Sequence, residues 1–358
     1  MPVMPAPDPT GLPAPVVILK FLSVFTLTLH LLAMNLLVGG VTMMALAGRK
    51  RQTDPLADRV FRRLARALPV TMSMTITLGV APLLFVQVIY GQAFYTASVL
   101  IAWPWLAIVP LVMLGYYGLY ICQFRPSWLG NRETIVAWLS MLAILAVGFV
   151  FTNTWTLMLA PSIWKYLYDA GISGLKLNMA DGTLLPRYLH FIVGAFSVGG
   201  LAVMLLGRTL KSADEQVSDA LQTAGRRWFL AAGGVQLIIG FWFLFALPDR
   251  VRNAFIGGNM LDSGVLAAGI VLAIVAMAVV RRMPGLAALL TGISVFLMVG
   301  TRHRVRQISL FPDLQVNNLQ VNPQWALLVV FVAVLLVGLA TVAWMVAAFV
   351  RAKPKMAG

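Results

Sequence analysis

A single cysteine, Cys122, stands in the whole sequence. It can form no intrachain disulfide, supply no cysteine-ligated iron-sulfur cluster and offer no C-x-x-C-H attachment for a c-type haem. Histidine is nearly as scarce, with His30, His190 and His303 alone. Charged residues make up 11% of the chain against 60% hydrophobic ones, and 358 residues of that composition cannot fold in water without exposing apolar surface. Lipid is therefore the expected solvent. The 12 Asp and Glu are few, and none falls inside a long apolar run; Asp58, Glu133, Asp181, Asp249, Asp262 and Asp313 all lie in connections or near ends. Proton-coupled transport and proton pumping need an ionisable group at depth, so the missing acids count against both.

What is present is a series of apolar stretches. Nine are long enough to cross about 30 Å of hydrocarbon at about 1.5 Å per residue: 16–47, 69–90, 101–123, 134–160, 188–207, 228–247, 264–280, 285–300 and 324–350. The first lacks a basic leader and is too long for a cleaved signal core. The expected fold is all-α, a polytopic transmembrane bundle of about nine helices. It forms one integral membrane domain over 1–358, with a first group of four helices in 1–160 and a second group of five in 185–350. No internal repeat and no soluble domain stand out. The stretch 55–67 reads as an amphipathic helix on the inner surface.

The formal charge of +15 does not point to nucleic acid, because the basic residues sit between apolar runs. The connections 48–67, 124–133, 208–227 and 281–284 and the tail after 350 hold 18 of the 27 Lys and Arg. Such connections face the cytoplasm, which puts the N-terminus outside and the C-terminus inside. A bacterial cytoplasmic membrane is the expected location. The intervening stretches 91–100, 161–187, 248–263 and 301–323 then lie outside, with Tyr90, Tyr95, Trp103, Trp164 and Tyr188 as an interfacial belt.

All three histidines fall in the outer half of this arrangement, His30 about two turns below the interface. Imidazole is a good axial ligand, and a haem between helices needs small residues for approach and cations for its propionates. Gly39 and Gly40 follow His30; Gly194, Gly199 and Gly200 follow His190. Arg187, Arg250, Arg252, Arg302, Arg304 and Arg306 cluster on the outer side, against the positive-inside tendency, and call for an anionic partner. The candidate iron ligands are His30, His190 and His303, with Arg187, Arg302, Arg304 and Arg306 as candidate propionate partners for one or two haems b. Met34, Met72, Met74 and Met298 lie at similar depth, although most methionines in such a chain fill space. The bland alternative makes the histidines packing residues of a cofactor-free transporter or of a structural anchor. Asn35, buried by depth, needs a hydrogen-bond partner. The strip PDLQVNNLQVNPQW, 312–325, suits either an interfacial loop or a docking site for another subunit.

Nine helices, an external N-terminus, His30 in the first helix, His190 at the outer start of the fifth and the Arg-rich TRHRVR segment together resemble subunit I of the cytochrome bd-type quinol oxidases. The resemblance implies a high-spin haem on His30 and a low-spin haem b on His190. The family's methionine partner from the seventh helix has no clear counterpart, and His303 could serve instead. It also implies a respiratory oxidoreductase component working with a partner subunit or a periplasmic cytochrome, and with quinol as a candidate donor. Two departures bear on the reaction. The connection 248–263 is short and lacks the family's G-R-Q-P-W type signature, and LIAWPWLAIVPLVMLGYYGLYIC has no carboxylate where the family's third helix carries paired glutamates. Without those acids to bring protons to oxygen, the chain reads as an electron-carrying relative rather than an oxidase.

Overall fold

The computed structural model describes residues 4–171 and 173–351. Nine of its helices are long and apolar enough to span a bilayer. They are α1 (Val16–Gly48), α2 (Pro55–Leu100), α3 (Ala102–Phe124), α4 (Glu133–Met158), α5 (Leu184–Arg208), α6 (Glu215–Ala246), α7 (Met260–Val279), α8 (Pro284–Leu310) and α9 (Trp325–Arg351). The only β-pairing among the described residues is one isolated parallel bridge, Leu12 with Val321.

Helix starts follow local chemistry. Asp54 caps α2 by accepting from Leu56 N–H with Pro55 in the first turn, and Asp214 caps α6 through Val217 N–H at 3.1 Å. Asn259 caps α7 through Asp262 N–H at 3.0 Å. Each cap satisfies a donor that the helix cannot satisfy itself. Pro284 opens α8 directly after the Arg281-Arg282-Met283 turn.

Helix α2 runs past the limits that hydropathy sets at both ends, and α8 at its far end. Residues 55–67 are not a separate surface helix but the first turns of α2, where Phe61, Leu64 and Ala65 are buried against α1 and α4. Residues 91–100 continue α2 across a kink at Tyr90 (φ −129°) instead of forming a connection. Residues 301–310 extend α8, so His303 lies within that helix. Hydropathy ends a segment where polar residues begin, but a helix ends only where its backbone hydrogen bonds do. The aromatic belt is also corrected in part. Tyr95 and Trp103 are exposed, whereas Tyr90 is fully buried and Trp164 is buried with its indole N–H donating 2.8 Å to Leu157 O.

The helices pack as sequential pairs, α1 with α2, α3 with α4, α5 with α6 and α7 with α8, and α1 also crosses α5. Close approach at that crossing requires glycine. A Cβ on Gly39 would come within 2.6 Å of Gly199 Cα, and one on Gly200 within 2.8 Å of Gly225 O on α6. Gly39, Gly199 and Gly200 therefore serve helix contact rather than a macrocycle. At the end bearing the basic connections, Glu133 is buried and pairs with Arg51 at 2.8 Å and Arg62 at 2.5 Å. Across the same end Arg59 bonds Asp214 and Gln216, tying α2 to α6.

At the opposite end the polar strip before α9 is occupied by the chain itself. Leu12 N–H donates 2.8 Å to Gln320 O, Asn322 N–H 2.9 Å to Leu12 O, and Gln324 N–H 2.8 Å to Pro13 O. This strip is an internal clasp on the N-terminal segment. α9 lies at the periphery, where Phe331 meets Phe85 edge-on at 5.1 Å.

A candidate cofactor site

His190 lies six residues, roughly 9 Å, along α5 from Leu184 at 1.5 Å per residue. Its ring rests on α6, where a Cβ on Gly240 would come within 3.3 Å of His190 Cε1. One turn earlier on α6, Gln236 places its amide 3.0 Å from His190 Nδ1. The amide is itself seated on α5, since a Cβ on Gly194 would lie 3.1 Å from Gln236 Nε2. Each polar side chain thus occupies the space left by a glycine on the other helix. The two spacings are equal, His190 to Gly194 and Gln236 to Gly240, because four residues bring a helix back to one face.

Beyond this pair α5–α6 and α7–α8 separate and enclose a cavity of about 260 Å3. Its wall is mainly apolar and contains Arg187, His190 and Gln236 from α5 and α6, Met277 from α7, and Met298 and Arg302 from α8. Leu31 and Asn35 close it from α1. Gly269 gives Met298 its place, with the thioether sulfur 3.6 Å from where a Cβ would stand.

The electrostatics are unusual for this depth. None of the ion pairs among the described residues includes Arg187, Arg302 or Arg306. Their guanidinium groups lie on aromatic faces instead. Arg187 sits 4.8 Å over Phe243, Arg302 sits 4.6 Å over Trp155, and Arg306 lies between Tyr90 at 4.8 Å and Trp155 at 5.1 Å. Arg187 is 5% exposed and its Nε has no hydrogen-bond partner. Ring faces offset only part of the cost of a desolvated cation, so the arrangement favours an anion beside it.

The remaining predicted residues are placed elsewhere. Arg304 is held bidentately by the buried Asp262 at 2.8 and 2.9 Å, and Arg252 pairs with Asp249. Neither is left seeking an anion. His303 is buried on the α2 side of α8, 6.1 Å from Tyr90, with Nε2 unpartnered, and it does not line the cavity. His30 does not line it either.

His30 nevertheless repeats the lock found at His190. Its Nδ1 is 3.0 Å from Thr75 O on α2, and a Cβ on Gly79 would meet the ring at 2.9 Å. A carbonyl only accepts, so Nδ1 carries the proton and neutral His30 keeps a bare lone pair on Nε2. Thr75 and Gly79 are spaced like Gln236 and Gly240. The segments HLLAMNLLVGG (30–40) and HFIVGAFSVGG (190–200) both place V-G-G eight residues after histidine. That short likeness, too brief to count as an internal repeat, is a sequence signal for the α1–α5 crossing rather than for the two histidine seats. Gln236 and Gly240 themselves carried none, because a glutamine in an apolar run gives no sign of its partner.

Among the described residues no three His, Cys, Asp or Glu side chains gather as a metal-ligating group. An iron at His190 would need most of its ligands from a macrocycle. One imidazole with its second nitrogen engaged, two thioethers, apolar walls and two cations, Arg187 buried and Arg302 half-buried, fit a haem and its propionates.

No family model matches the sequence, and no curated protein does. The fold is similar to that of the bd oxidase from Geobacillus thermodenitrificans, with a TM-score of 0.75 at 11% identity, covering 96% of this chain and 99% of that one. The chain is therefore a polytopic helical membrane protein with a bd-oxidase-like fold.

Proposed function

We propose that this chain is a haem b-binding subunit of a respiratory membrane complex, carrying electrons between a reduced donor and a partner subunit. The observation that carries the reading is the meeting of His190, braced by Gln236, with Arg187 and Arg302, which form no direct ion pair among the described residues, in the wall of one apolar cavity. When bound, the haem supplies a one-electron centre that cycles between ferric and ferrous iron. His190 would hold the iron through a ring nitrogen, and Met277 and Met298 in the same wall would be the thioethers available to it. Arg187 and Arg302 neutralise the propionates, and the apolar wall keeps water and bulk dielectric from the iron. His30, with Nε2 left bare by Thr75, is the candidate ligand for a second haem in the first helix group.

The proposal places the N-terminus outside a bacterial cytoplasmic membrane and the C-terminus inside, following the basic connections. The donor is a quinol or a periplasmic cytochrome. The absence of carboxylates from α3 favours electron transfer over oxygen reduction.

A dithionite-reduced minus air-oxidised spectrum of the purified protein tests this reading. A Soret band and a b-type α band are expected in the wild type. His190→Ala is expected to lose at least half of the haem per protein while remaining monodisperse. A colourless wild type would leave a cofactor-free transporter or anchor as the better account.

A further inference from the structure

Gln236 is a half-buried polar residue within the membrane-spanning part of the chain, and half of its amide is unused. Its Oε1 is buried without a hydrogen-bond partner, while Nε2 faces His190 Nδ1 at 3.0 Å. In that orientation the amide N–H donates, Nδ1 accepts, and the neutral imidazole carries its proton on Nε2. A half-turn of the amide exchanges the two atoms at almost no steric cost, and then Nδ1–H donates to Oε1 and Nε2 is bare. Oxygen and nitrogen ends of an amide are fixed by the bonds they make. The Gly194 and Gly240 seats hold the side chains in place in either state.

We propose that Gln236 is the positioning residue that selects the iron-binding tautomer of His190 and sets the electron donation of its Nε2. The proposal rests on the haem reading above. An acceptor at Nδ1–H makes the opposite nitrogen a stronger donor, which favours the oxidised iron. A neutral amide gives a moderate effect, between that of no acceptor and that of a carboxylate. Gln236 thus acts on the potential of the centre through His190 without touching iron.

The test uses the full-length purified protein and its Gln236→Leu and Gln236→Glu variants. The readouts are haem per protein, the reduction potential by spectroelectrochemical titration, and melting temperature. Gln236→Leu removes the acceptor and is expected to favour the reduced form about tenfold, which is about 59 mV upward for a one-electron couple. Gln236→Glu is expected to shift it downward. Loss of haem from Gln236→Leu with retention in Gln236→Glu also supports the role. Equal potentials in all three proteins, a shift of the same sign in both variants, or haem lost from both folded variants would overturn it. A wild type without haem would instead remove the reading beneath.

Discussion

The α1–α2 pair and the α5–α6 pair carry the same local device in different surroundings. In both, a histidine on the first helix rests on a glycine of the second, and its Nδ1 meets a hydrogen-bond partner four residues before that glycine. Around α1–α2, the helices α3 and α4 close in and two large clusters of buried side chains fill the space. Around α5–α6, the helices α7 and α8 share two small buried clusters, one near the basic end and one near the opposite end, and leave the cavity unfilled. The difference shows that a braced histidine is set by one helix pair, while room for a ligand is set by how the next pair leans.

The largest effect on this comparison comes from the crossing that joins its two sides. Gly199→Leu drives a side chain into Gly39 and the Asn35 carbonyl, whose atoms already stand 2.5 and 2.7 Å from an added Cβ. Backbone cannot retreat as a side chain can, so a loss of about 3 kcal/mol or more is expected. Size-exclusion profiles should show loss of the monodisperse peak.

Glu133→Gln comes next, because it tests the tight packing of the first group alone. It strips the buried carboxylate from Arg51 and Arg62 and is expected to cost about 3 kcal/mol, lowering the melting temperature. The cavity should be untouched, and any haem signal should survive the change at temperatures below melting.

The glycine seats compare the two locks directly. Gly79→Ala, with 2.9 Å to the His30 ring, is expected to cost about 2 kcal/mol, and Gly240→Ala, with 3.3 Å to His190, under about 1 kcal/mol. The His190 ring borders open space and can shift. Equal losses of melting temperature would show that the two rings are equally confined. The smallest effect is expected from Gly269→Ala, where the new methyl crowds the flexible end of Met298 and meets Leu297 Cβ at an ordinary 3.6 Å. Stability should change by under about 0.5 kcal/mol, while the reduced spectrum should shift if the thioether lies near iron.

Much of the bundle is legible in the sequence. The nine spans stand out because each apolar run is long enough to cross a bilayer, and the Arg281-Arg282-Met283-Pro284 turn divides α7 from α8 by a proline at the first helical position. The ends of α2 and α8 were not legible. Arg59 and Arg62 look like a surface connector until Asp214 and Glu133 arrive from other helices, and Arg302 and Arg306 look interfacial until Trp155 is found beneath them.

The site divides in the same way. His190, Arg187 and Arg302 could be named from scarcity and from charge on the wrong side, yet Arg304 belonged to the same pattern and proved to be held by Asp262. Sequence by itself determined the solvent, the number of crossings and the scarce residues able to ligate, because these depend on composition and on segment length. Only the tertiary structure decided which of those residues share a cavity and which arginines form no direct ion pair among the described residues. Those outcomes depend on contacts between helices far apart in the chain, and in particular on glycines whose missing side chains let the backbones meet.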